Sequence, residues 1–351
     1  MKFKRKPVIL LIFVLLIGAF FLGPRPNYPD YTPEIAPVQL TLLEVENHIA
    51  TVDQAEEGLR PGNGSIFEWA NGQPEQTEYC VLFLHGFTAV PFAGSPGARD
   101  FARRYGCNYY APRLYAHGIE GQDAFKDLSP ADLINSAKEA LAIARILGKK
   151  TIVVGSSTGC TLAAYLAAYN PDYVHSMLFF SPNIDLAAAT SKMLLWPWGK
   201  QIARLVIGGD YRTVENIKGK YYADYWYVTY HIDGLLALKY LIQETMREKV
   251  FEKIQQPLYL GYYYRDEEHK DEAVSIPRMK DFFAQVGTPE EQKRIEAVGE
   301  AGGHIMLSNL QCDSVAAVCQ RAYAFAEDVL RLLPVAPREV AAVDSLPVDS
   351  E

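Results

Sequence analysis

The stretch Thr151-Ile152-Val153-Val154-Gly155-Ser156-Ser157-Thr158-Gly159 constrains the chain more than any other. A short β-branched run ends in Gly-x-Ser-x-Gly, and the small residues from Cys160 to Ala168 then suit a helix. A serine held on so sharp a turn stands clear of the backbone, where a histidine can take its proton. The flanking glycines remove Cβ atoms that would clash as strand and helix close on the turn. Ser157 is therefore the candidate nucleophile. A glycine- and serine-rich connecting loop is the plainer alternative.

The elbow needs a sheet around it, and the rest of the chain supplies the pattern. Gly64 to Ala70 and Tyr79 to Leu84 read as strands separated by the turn Asn71-Gly72-Gln73-Pro74. Helical periodicity follows over Ala98 to Tyr105 and Ser129 to Leu147, with strands expected near Asn108 to Ala111, Asp172 to Phe180, Pro257 to Tyr264 and Lys293 to Val298. Asp313 to Leu333 is the expected closing helix. This alternation predicts an α/β fold, a mostly parallel sheet with helices on both faces. Its domain spans 60–333, and a tail over 334–351 is expected to be disordered. The stretch 186–249 interrupts the alternation and is rich in aromatics, among them Trp196, Trp198, Tyr225 and Trp226. Placed above the carboxyl edge of the sheet, it would act as a lid or acyl-binding wall, although plain helical packing accounts for such residues equally well.

Before the domain, residues 1–23 combine the basic Met1 to Lys6 with an apolar run over Val8 to Leu22. This reads as an N-terminal membrane anchor, with the remainder on the non-cytoplasmic side. Cleavage to a secreted or periplasmic form is the alternative. Residues 24–59 read as a proline-rich linker and an amphipathic helix over Leu40 to Gly58. The net charge of −8 and the scattered lysines and arginines exclude a nucleic-acid footprint. Five cysteines without a CxxC give no zinc site and no disulfide scaffold. Neither metal nor cofactor is expected.

A base for Ser157 should follow it in the chain, together with an acid. Of the seven histidines, His175, His231, His269 and His304 lie downstream. His304, in Gly302-Gly303-His304 between the last strand and the last helix, is best placed to reach the carboxyl edge. The acid should lie in the loop after Leu258 to Tyr264, where Asp271 is preferred and Asp266 is the alternative. Oxyanion donors are expected from the backbone N–H of Thr158, at a helix start, and of Phe87 in His85-Gly86-Phe87-Thr88. His85 itself reads as structural.

With those motifs in order, and with Leu114 and His117-Gly118 between them, the chain resembles the α/β-hydrolase superfamily. The likeness is to its carboxylesterase and monoacylglycerol lipase branch. The resemblance implies an eight-stranded, mostly parallel sheet, a helical lid after the sixth strand, and hydrolysis through an acyl-serine intermediate. Two departures stand out: Ser156 where many relatives carry histidine, and a long acid loop over Arg265 to Lys270. The expected activity is hydrolysis of a lipophilic carboxylic ester. A thioesterase or amidase would use the same groups, and a noncatalytic lipid- or polymer-binding protein is the reading from another class.

Overall fold

In the computed structural model, residues 5–215 and 219–336 are described. Nine strands occur among them: β1 (Ile66–Glu68), β2 (Thr77–Leu84), β3 (Asn108–Ala111), β4 (Gly148–Ser156), β5 (Ser176–Phe180), β6 (Tyr211–Thr213), β7 (Thr229–His231), β8 (Leu258–Tyr262) and β9 (Lys293–Ala297). The helices are α1 (Arg5–Phe21), α2 (Leu42–Gln54), α3 (Gly97–Arg104), α4 (Pro130–Leu147), α5 (Thr158–Tyr169), α6 (Gly199–Ile207), α7 (Tyr222–Tyr225), α8 (Ile232–Thr245), α9 (Glu248–Phe251), α10 (Ile276–Gln285) and α11 (Val315–Asp328).

Seven strands form one sheet in the order β1-β3-β2-β4-β5-β8-β9, parallel throughout except for β1 against β3. Strand periodicity of two divides the core. Leu82, Leu84, Val153, Met177 and Phe179 face one layer with α4, α5 and α8. Val81, Phe83, Ile152, Val154 and Phe180 face the other with α3 and α11. Both faces are covered, which is why the central strands are apolar at successive residues. Burying each such side chain contributes about 1.5–3 kcal/mol. The start of α4 follows from its sequence: Ser129 and Asp132 form a capping box and Pro130 occupies the first turn.

The eighth strand implied by the resemblance does not occur among the described residues. The chain before β1 is used otherwise: it runs extended over the helices, where Tyr28 packs edge-on against Tyr240 and Ile35 N–H donates to Asn170. It then forms α2, which buries Val45 and Ile49. The second part of the aromatic stretch, α8, is likewise a core helix, with Ile232, Ala237 and Leu241 fully buried. The first part carries α6, α7 and the small antiparallel pair β6–β7.

The expected N-terminal membrane anchor is overturned. Among the described residues no helix is long and apolar enough to cross a membrane. The helix α1 has 17 residues, about 26 Å at 1.5 Å per residue, against a hydrocarbon core of about 30 Å. It ends at Phe21, and the chain then turns through Gly23 onto the protein, where Trp198 Nε1 donates to the Ala19 carbonyl and Trp198 N–H to that of Pro24. Of the tail expected over 334–351, residues 337–351 lie outside the described residues. All five cysteines are buried free thiols.

Candidate active site

Ser157 sits between β4 and α5 with φ of 52° and ψ of −115°, a strained backbone that costs about 1–3 kcal/mol. Its neighbours make the strain necessary. A Cβ on Gly159 would lie 1.9 Å from the Leu84 carbonyl oxygen, and one on Gly155 would lie 3.0 Å from the Cys160 backbone. Only glycines let β2, the turn and α5 come so close. Ser157 N–H donates to the Phe180 carbonyl, and the Asn183 N–H donates to that of Ser157, which ties the turn to the end of β5.

The register Leu84↔Gly155 sets the loop after β2 beside the elbow. A Cβ on Gly86 would stand 3.1 Å from that of Ser157, so His85-Gly86-Phe87 passes directly over the serine. The Phe87 ring stacks on Phe125 at 4.6 Å between centroids. His85 is buried, its Nε2 accepting from Leu114 N–H while Nδ1 donates to the Gly86 carbonyl. Burial lowers its pKa to about 4, so it is neutral and fixes the loop. Phe87 and Thr158, the expected oxyanion donors, thus follow two adjacent strand ends, each one residue from the close approach of Gly86 to Ser157.

His304 and Asp271 meet at the same edge. His304 follows β9 after a left-handed Gly302, and its Nδ1 donates to Asp271 Oδ2 at 2.7 Å. The Asp271 side chain is fully shielded from solvent, that of His304 23% exposed. Oδ1 of Asp271 accepts the N–H groups of Ala273 and Val274 at 3.0 and 3.2 Å. Burial alone would push this carboxyl up, but the His304 charge, its hydrogen bond and the Ser181 hydroxyl outweigh that and hold it below the usual range. Burial opposes charge on His304 too, and Asp271 overcomes it, so the imidazole is raised above its ordinary value. Nδ1 being committed, Nε2 is the free acceptor. Neither it nor Ser157 Oγ has a hydrogen-bond partner among the described residues, and free enzymes commonly hold such bonds long.

Asp266 lies elsewhere. Residues Arg265 to Lys270 form an exposed turn closed by the bridge Tyr264↔Lys270, and Asp266 pairs there with His269 at 2.8 Å. The extra loop length is this self-contained turn, and Asp271 follows at its base.

The aromatic candidates separate. Trp226 is 3% exposed; it stacks on Tyr222 and packs in a cluster with Tyr225, Ala89 and Ile305, the residue after His304. Tyr225 stacks on Phe92 at 4.1 Å. Trp196 is 46% exposed and meets Phe20 edge-on; with Trp198 it lies against the end of α1. Two residues were missed in sequence. Asn183 Nδ2 donates to Thr158 Oγ1, and Ser181, at φ 44°, stands beside Asp271. The signal for both was Ser181-Pro182-Asn183, polar and turn-forming directly after Phe179-Phe180. Among the described residues no group of three His, Cys, Asp or Glu is disposed to hold a metal ion.

A mostly parallel α/β sheet with a strained serine elbow and a buried His–Asp pair on one edge is the framework of the hydrolases of this architecture. The family described as "Alpha/beta hydrolase family" matches residues 81–318, and the chain belongs to it. It is similar to a thermostable monoacylglycerol lipase of Bacillus sp. (strain H-257), 30% identical over 113 residues, 32% of this chain. That match spans 44% of the lipase's length. Among solved structures, one from a study of LipS and LipT, two metagenome-derived lipolytic enzymes, shares the fold at a TM-score of 0.57 and 17% identity, covering 76% of this chain and 98% of that one. The monoacylglycerol lipase of Paleococcus ferrophilus does so at 0.53 and 13%, covering 72% and 96%.

Proposed function

We propose that the protein is a serine ester hydrolase of the lipase and esterase type, working through an acyl-serine intermediate. The observation that carries the reading is the buried Asp271–His304 pair on the same sheet edge as the Ser157 elbow. His304 Nε2 accepts the Ser157 proton as Oγ attacks the ester carbonyl. The oxyanion is held by the N–H groups of Phe87 and Thr158. The imidazolium, balanced by Asp271, then protonates the departing alcohol, and water activated by the same His304 releases the carboxylic acid. Thioesters and amides could enter the same sequence, but the names of the similar proteins favour esters.

The substrate is a lipophilic ester, its acyl part contacting Tyr225 and Trp226. Support comes from the apolar cluster they form with Ile305 and Leu310 beside His304. Trp196 and Trp198, facing α1, are given no part in acyl binding. Labelling with a fluorophosphonate probe tests the chemistry: the wild type should react and Ser157→Ala should not. A folded protein that takes no label would leave only the noncatalytic binding reading. Turnover of p-nitrophenyl esters of graded length tests the substrate class, and a preference for acetate over longer chains would overturn it.

A further inference from the structure

Away from Ser157, an open cleft of about 510 Å³ lies between the chain after β5, the 3-10 turn Ala189–Leu195, α8 and α10. Arg25, Lys192, Lys239 and Arg278 line it against a single carboxylate, Asp185. Cations gathered this closely repel one another, and their concentration is costly unless something offsets it.

The internal pairings do not. Lys239, whose side chain is 5% exposed, bonds Asp185 Oδ1 at 2.5 Å, and that oxygen also accepts the Leu186 N–H. Arg278 meets only the exposed Asp281 at 3.5 Å and the Met246 carbonyl at 3.3 Å. Among the described residues neither Arg25 nor Lys192 has a carboxylate partner. Four cations thus line the cleft against one carboxylate, and Asp281, which meets Arg278, is not part of the lining. Gln243 completes the polar lining, and the apolar side chains that reach the cleft surface are the exposed Trp196 and the half-buried Leu195, with Ile184 and Ile242 buried beneath them. The size is that of a small-molecule site rather than of a bare ion site.

We propose that this cleft is a second binding site, separate from the ester site, for an amphiphilic anion. Its carboxylate or phosphate head is held by Lys192 and Arg278, with Arg25 beside them, and its apolar stem lies along Trp196 and Leu195. The guanidinium of Arg278 suits either head, since both present paired oxygens to its fork. The exposed Trp196 is then a wall of this cleft.

Isothermal titration of the full-length protein with octyl phosphate, octanoate and inorganic phosphate tests the assignment. An eight-carbon anion should bind wild type and Ser157→Ala alike. The double variant K192Q/R278Q should weaken it by roughly tenfold or more, the loss expected for charge-assisted hydrogen bonds. Octyl phosphate bound more tightly than octanoate assigns a phosphate head, and comparable or tighter octanoate a carboxylate. K192E, at an exposed position with no partner to lose, should weaken binding in a fold that unfolds at the wild-type temperature. The proposal is overturned if neither eight-carbon anion binds, if the double variant or K192E binds undiminished, if Ser157→Ala abolishes binding, or if inorganic phosphate binds as tightly.

Discussion

Replacing Asp271 by Asn probes the site most directly, because the structure dictates what the amide must do. Oδ1 is held by the N–H groups of Ala273 and Val274, so the Asn oxygen keeps that place and its NH₂ turns to His304 Nδ1. Two donors then face one another, and the imidazole escapes by moving its proton to Nε2, where it can no longer accept from Ser157. The charge is lost as well. Unit charges about 4 Å apart attract by about 4 kcal/mol at an effective dielectric of 20, about a thousandfold in rate. Tautomer and charge together predict a fall in kcat of about 10³–10⁴. The assay is hydrolysis of a p-nitrophenyl ester, with thermal unfolding showing that the fold persists. Asp266→Asn should change kcat less than about twofold, since Asp266 is exposed and serves its own turn. An Asp271→Asn enzyme within tenfold of wild type, or a larger loss from Asp266→Asn, would refute the reasoning.

Further outcomes follow from the same geometry. Because His304 must be neutral to accept a proton and its pKa lies above the ordinary 6.5, kcat/KM should rise with pH through a midpoint above that value. An acid limb at or below 6.5 would count against the ion pair. Gly159→Ala drives a Cβ to within 1.9 Å of a carbonyl oxygen on β2 and should cost about 3 kcal/mol or more, read as a lower unfolding midpoint or loss of soluble protein. Trp226→Ala, at a buried position, should lose about 3–5 kcal/mol of stability in denaturant titration. Trp196→Ala should leave ester turnover within about twofold, and a large loss there would restore Trp196 to the ester site.

The elbow and the strand alternation were legible because both rest on local rules: glycines where backbones nearly touch, and apolar runs where a strand is covered on both faces. His304 was legible by order and by position between the last strand and the last helix. What escaped depended on tertiary packing. Residues 24–59 look like a linker and a free helix, and only the structure shows Tyr28, Ile35 and Val45 held against the helices rather than leading into an eighth strand. Trp196 and Trp226 are alike in sequence, yet one lies on α1 and the other is buried in the cluster that includes Ile305. The apolar run near the N-terminus had a membrane-anchor composition but too short a helix. Ser181 and Asn183 were hidden because each acts through a neighbour.

The spacing between the serine and the loop after β2 is set by two close approaches that only glycine permits: the Leu84 carbonyl against Gly159, and the Ser157 Cβ against Gly86. That spacing is therefore independent of the side chains proposed to contact the substrate. Engineering that exchanges Tyr225 or Ile305 for other shapes should retune substrate preference while leaving the chemical step intact, and libraries on this scaffold should be richest when both glycines are left alone.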